Sequence, residues 1–117
     1  MWELAKQYCR LKYPAVCYTC GRSAVGKNRQ TGHFLPSLEC PFILDYHPNN
    51  LRNQCMRCNK WSGGYGSQFY HNLKRDHGQE YIDKLFEMRD NPEILEPTIE
   101  DYQNYIEYYK QLIKNLK

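Results

Sequence analysis

The stretches Cys17-Tyr18-Thr19-Cys20-Gly21, Gly32-His33-Phe34 and Gln54-Cys55-Met56-Arg57-Cys58-Asn59 decide how this chain folds. Two C-x-x-C hooks of this kind supply four thiolates, the donor set of a closed tetrahedral zinc site. A closed site leaves zinc no open coordination position, so Cys17, Cys20, Cys55 and Cys58 are expected to hold the fold and do no chemistry. The 34 residues between the hooks (21–54) exceed a compact zinc knuckle, so the clamp must enclose a structured insert. That insert carries His33, and Asn59 follows the last cysteine directly; the pair points to a metal-dependent nuclease centre.

Outward from the hooks, composition sets the limits. A chain of 117 residues makes one small domain with a helical appendage, and its hydrophobic core alone gives modest stability that a zinc staple would supplement. No run approaches the roughly 18 apolar residues of a membrane span, and Met1-Trp2-Glu3-Leu4 is not a basic stretch leading into an apolar one. A soluble, intracellular protein with reduced cysteines is expected, which favours metal over disulfides for the six cysteines. The net charge of +3 is unevenly spread: residues 1–60 hold nine Lys/Arg against three acids, and residues 61–117 hold seven against ten. A basic half that also holds the candidate site suits a polyanion such as DNA.

Residues 1–14 read as an amphipathic helix, with Leu4, Tyr8 and Leu11 at helical spacing and Pro14 as its stop. Residues 15–90 form the zinc-clamped module. Within it, short strands are expected around His33-Phe34-Leu35 and Asn50 to Gln54, joined by a long loop through Glu39 to Pro48. One helix should begin at a Ser67 cap and end at Gly78, and a second should carry Tyr81, Ile82, Leu85 and Phe86 and finish near Asp90. Residues 91–97 read as a linker. Thr98-x-x-Asp101 then opens a helix over 98–117, with a capping box and a stripe of Ile99, Tyr102, Ile106, Tyr109, Ile113 and Leu116. The stripe must pack on something, either the core or a second copy in a homodimer. The expected fold class is therefore α+β.

A neutral imidazole at His33 can take a proton from attacking water, since its ordinary pKa lies at about 6.5. Asn59 offers a carbonyl oxygen, a hard ligand of the kind magnesium accepts. Arg22, Lys27, Arg29, Arg52, Arg57 and Lys60 are the expected phosphate contacts, reading backbone shape more than bases. Trp61 and Tyr65 are assigned to packing on the zinc module, with stacking on unpaired bases as the alternative. Cys9 and Cys40 are left as bystander thiols.

With Cys17 to Gly21, Gly32-His33-Phe34, Asn50, Gln54 to Asn59, Gly63 or Gly64, Tyr70, Leu73 and Gly78 in this order, and the lead-in Tyr8 to Lys12, the chain resembles the phage lambda NinG (Rap) recombination family over roughly residues 5 to 90. More distantly it is similar to phage resolvases of the endonuclease VII type and to HNH, or His-Me finger, nucleases, in which a ββα unit carries the active site. The resemblance implies a zinc-stabilised ββα module flanked by an N-terminal and C-terminal helices. It implies a structure-selective endonuclease cutting branched DNA such as Holliday junctions and D-loops, in the cytoplasm of a bacterial host. It casts His33 as general base and Asn59 as ligand of a catalytic Mg2+ or Mn2+. Gly32 stands where many HNH nucleases place a metal-binding aspartate or histidine, so that ligand is either absent or comes from elsewhere, with His71, Asp45 and His47 as the candidates. Two rivals remain open: a non-catalytic zinc-stabilised DNA-binding protein, and an adaptor docking a protein partner through its acidic helical half.

Overall fold

A computed structural model describes residues 1–36, 42–92, 94 and 96–117, with the side chain of Ile43 outside that description. Helices α1 (Trp2–Lys12), α2 (Phe42–Asp45), α3 (Gly66–His77), α4 (Gln79–Asp90) and α5 (Ile99–Leu116) surround one antiparallel pair, β1 (Gln30–His33) and β2 (Leu51–Gln54). The mixed α and β expectation holds. β1 lies earlier than the expected His33-Phe34-Leu35, because Phe34 and Leu35 leave the sheet for the apolar core. The long connection between the strands holds α2 and a 3-10 turn at Pro48–Asn50, while Cys40 and the start of that expected loop lie outside the described residues.

The register pairs Gln30 with Gln54, Thr31 with Asn53, Gly32 with Arg52 and His33 with Leu51. All four residues of β2 are buried although three of them are polar. One apolar cluster, Phe34, Leu35, Leu44, Phe69, Leu73, Ile82 and Leu85, joins the segment after β1 to α2, α3 and α4. A second cluster, Ala5, Tyr8, Cys9, Leu51, Tyr109 and Ile113, joins α1, β2 and α5.

Helix ends follow local chemistry. Pro14 stops α1, and Arg29 Nη2 donates to the carbonyls of Arg10 and Tyr13 at that end (2.7 and 2.9 Å). Gly78, at φ +88, separates α3 from α4, and α4 ends at Asp90 as expected. The capping box of α5 is formed: Asp101 N donates to Thr98 Oγ1 (3.2 Å) and Thr98 N to Asp101 Oδ2 (2.8 Å). Ser67 is not the cap of α3. The helix starts at Gly66, after Gly63, Gly64 and Tyr65 all turn through positive φ, which makes Tyr65 the position before the helix.

The α5 stripe folds back: Tyr109 and Ile113 bury against α1, and Phe42 of α2 meets the Tyr102 and Tyr105 rings. The stripe's outer positions, Ile99 and Leu116, stay exposed. No helix among the described residues is long and apolar enough to cross a membrane.

Removing the buried Tyr109 ring leaves a cavity between α1 and α5. Tyr109→Ala is expected to lower the urea-unfolding free energy by about 3–5 kcal/mol. Ile99→Ala, on an exposed position of the same helix, should change it by less than about 0.5 kcal/mol.

Candidate functional site

The first hook is a tight knuckle in which Cys17 N donates to Arg22 O (2.8 Å) and Gly21 N to Cys17 O (2.9 Å), with Gly21 at φ +75. The second hook leaves β2 and enters a single π-helical turn, Arg57–Trp61, whose Asn59 N donates to Cys55 O (2.9 Å). Together they bring the four cysteine Sγ atoms within 4.8 Å of one another. A tetrahedral zinc with sulfur bonds of about 2.3 Å has edges of about 3.8 Å, and the Cys20 and Cys55 sulfurs lie 3.7 Å apart. This cluster could hold a metal ion such as zinc.

A chain of polar contacts supports the cluster. Gln54 Nε2 donates to Gly64 O (2.7 Å) and to Thr19 Oγ1 (3.1 Å), which leaves the Thr19 hydroxyl proton for Cys17 Sγ at 3.3 Å. Burial favours the neutral Cys17 thiol, but the Thr19 hydroxyl and backbone hydrogen bonds outweigh it and bring the group down to about 6. Burial raises Cys20 and pushes Cys58 up to about 12, so metal loading would release protons. Buried Cys9 is also held near 12 by desolvation and lies apart from the cluster, in the α1 core.

Gly32 has its reason in the same chain. A Cβ built there would stand 1.7 Å from Gln54 Oε1 and 2.6 Å from its Cδ, and Gln54 is wholly buried. The Gly64 carbonyl requires a donor, which fixes the amide with Oε1 toward Gly32. Any side chain at position 32, a metal-binding aspartate included, would have to displace Gln54.

His33 closes β1 with its side chain 17% exposed. Its Nε2 lies 2.8 Å from the Asp45 carbonyl and 3.2 Å from Asp45 Oδ1, and the Trp2 indole stacks on the ring with centroids 5.4 Å apart and planes 9° apart. Two acceptors at Nε2 select the tautomer with the proton there, leaving the Nδ1 lone pair free to accept. Of the three alternative ligands, Asp45 is the one that meets His33. His47 instead caps the 3-10 turn, accepting from Asn49 N at 3.1 Å, and burial lowers its pKa; His71 is exposed on α3.

Asn59 sits on the π turn, and its Nδ2 donates to Gln30 Oε1 (2.8 Å), leaving Oδ1 as the atom for a cation. Gln30 and His33 stand at opposite ends of β1, about 10 Å apart at the usual strand rise. Among the described residues no hydrogen bond or ion pair joins His33 to Asn59.

Of the six expected phosphate contacts, Arg22, Lys27, Arg57 and Lys60 are exposed. Arg22 and Arg57 line a hollow of about 240 Å³ with Cys20, Cys55, Cys58 and Tyr65. Arg52 is a correction: at 2% exposure its guanidinium donates to the Pro48, Asn49 and Leu51 carbonyls and to Tyr81 Oη, among the Tyr13, Tyr18 and Tyr81 rings. Arg29 is also spoken for, by the end of α1. Trp61 is a second correction, since it is 81% exposed and does not pack on the zinc module. A wider groove of about 620 Å³, lined by Tyr13, Tyr18, Asn72 and His77 among others, includes none of His33, Asn59 or His71.

The sequence reading missed the roles of Trp2, Thr19 and Gln54. Only Gln54 carried a signal, as a polar residue inside an expected strand directly before a hook.

The family model described as Bacteriophage Lambda NinG protein matches residues 3–117, a span that takes in α5 as well as the cysteine cluster. No curated protein and no solved structure matches the chain.

Elemental analysis is expected to find one zinc per chain, and Cys55→Ser should abolish it. Gly32→Ala is expected to destabilise the zinc-loaded protein by about 1–3 kcal/mol, because it evicts a buried, hydrogen-bonded amide. Gly66→Ala, whose Cβ meets nothing within 4 Å, is the control and should not destabilise.

Proposed function

The chain belongs to the bacteriophage lambda NinG family, and from that membership we propose that it is a structure-selective endonuclease of the His-Me finger type that hydrolyses phosphodiesters in branched DNA during phage recombination. The observation that carries this reading is the engagement of His33 Nε2 by Asp45, which leaves Nδ1 unprotonated. The succession β1, β2, α3, with a metal-binding cysteine cluster at the junction of β2 and α3, also suits a ββα nuclease unit.

In this reading His33 Nδ1 takes the proton of the water that attacks phosphorus, and the displaced 3′-oxygen leaves on the opposite side, with inversion. Asp45 holds the ring in the required tautomer and stabilises the imidazolium that forms, while Trp2 fixes its plane. A divalent cation, Mg2+ or Mn2+, would be held in part by Asn59 Oδ1 and would supply charge neutralisation at the phosphate. Arg22, Lys27, Arg57 and Lys60 carry the DNA backbone. The proposed setting is the cytoplasm of the bacterial host.

A second reading, a DNA-binding protein that does not cut, is favoured by the separate anchoring of His33 on Asp45 and Asn59 on Gln30.

The deciding assay incubates the zinc-loaded protein with a labelled four-way junction and a matched linear duplex, with Mg2+, Mn2+ or EDTA. Metal-dependent cutting of the junction alone is expected, with His33→Ala slower by about 10²–10⁴-fold and binding retained. Asp45→Asn should lower the rate without abolishing binding. Tight binding with no cutting under any metal establishes the second reading, and neither binding nor cutting sinks both.

A further inference from the structure

Trp61 is the most exposed large hydrophobic side chain among the described residues, at 81%. Nothing in its setting suggests a loose end. It closes the π turn that begins beside Cys58, and that turn is held by Ser62 N to Arg57 O (2.9 Å), Gly64 N to Cys58 O (2.8 Å) and the thiolate cluster itself. Trp2, the other tryptophan, is by contrast stacked on His33 and tilted against Tyr46.

A large aromatic surface held in water on a rigid turn is unfavourable unless something covers it. The neighbours say what kind of surface that is. Arg57 and Lys60 share the turn, both exposed, and Arg57 lines one hollow with the exposed Arg22. Tyr65, four residues on, is 41% exposed, lines the same hollow, and adopts a left-handed backbone (φ 53) that a tyrosine rarely takes. Strain of this kind collects at ligand sites. Aromatic faces interleaved with cations that make no ion pair among the described residues match a nucleotide, which offers a stacking base and an anionic phosphate together. An apolar protein partner would leave Arg22, Arg57 and Lys60 facing no opposite charge.

We infer that Trp61, seconded by Tyr65, is a stacking platform for an unpaired nucleobase, with Arg22, Arg57 and Lys60 holding the flanking phosphates. The inference rests on the DNA reading above and deepens it. Paired duplex keeps its bases stacked on one another, whereas a branch point or gap presents a free base. The platform therefore gives the protein a means of preferring branched or single-stranded DNA without reading sequence.

The test titrates the zinc-loaded full chain with three probes of equal length: an oligothymidylate, its abasic sugar-phosphate analogue, and a blunt duplex. Tryptophan fluorescence should be quenched by the oligothymidylate and little changed by the abasic strand. Trp61→Ala should weaken oligothymidylate binding by about 5- to 100-fold, leave abasic binding unchanged, and erase the quenching, while Trp61→Phe keeps most of the affinity. Equal binding of the normal and abasic strands, indifferent to Trp61→Ala, overturns the inference even if junctions are cut. Loss of base-dependent binding in Trp61→Ala supports it even if no junction is cut, so the platform and the nuclease stand or fall separately. Failure to bind the oligothymidylate overturns the platform, while the four-way-junction assay decides the DNA reading separately.

Discussion

The row of polar side chains from Asn50 to Gln54 ties this structure together. Four of the five residues are polar, all five are buried, and each polar one reaches a different part of the chain. Asn50 accepts from Leu35 N and donates to the Leu35 and Leu44 carbonyls, pinning the segment after β1 to α2. Arg52 gathers the 3-10 turn and α4 through carbonyls and Tyr81, and meets His77 of α3. Asn53 reaches the Cys9 and Pro14 carbonyls at the end of α1, and Gln54 reaches the first zinc hook and the glycine turn. An apolar strand would bury as much surface, but it would not fix the order of its neighbours. Directional bonds in a dry interior do that, and removing one partner leaves a buried group unpaired.

This arrangement suits a domain too small for a large core. Its core is split into two apolar clusters, one of which takes in Leu51 of β2, and a third in which Ala24 packs with Cys17, Cys55 and Cys58. Binding energy of a metal that needs folded ligands becomes folding energy, so the cysteines and the β2 hub act on the same element from its C-terminal end. Gln54 and Cys55 are adjacent in sequence, and the contact from Gln54 through Thr19 to Cys17 closes the loop between the two hooks.

Much of this was legible from local codes. The cysteine spacing, the end of α4 at Asp90, the Gly78 break and the Thr98 capping box each depend on residues a few positions apart, and the structure holds all four. What sequence could not convey depends on distant partners. Arg52 reads as a surface cation because nothing nearby announces the three tyrosine rings and three carbonyls that take it in. Ser67 reads as a helix cap because serine prefers that place, yet the glycine turn at 63–64 swings the chain so that Tyr65 stands there. Asp45 was one of three alternatives beside His33, and only the fold of the insert brings it within reach. Trp61 reads as packing on the cysteine module, yet it stands 81% exposed at the end of a π turn, which no propensity announces.

Strand alternation links the metal cluster to the candidate base. Neighbouring residues on a strand face opposite sides, so Gly32 and His33 serve different layers. Gly32 turns toward Gln54 and, through it, Thr19 and Cys17; His33 turns toward Trp2 and Asp45. A slip of one residue in register would turn His33 toward the space Gln54 fills and Gly32 toward Asp45, ending both arrangements at once. The register is in turn held by the bond from Gln54 to Gly64 and by burial of Leu51 opposite His33. A metal bound by the cysteines would therefore act on the placement of His33 through the position of one strand against the other. Gly32, which looked like a missing ligand, is the residue whose lack of a side chain allows that coupling.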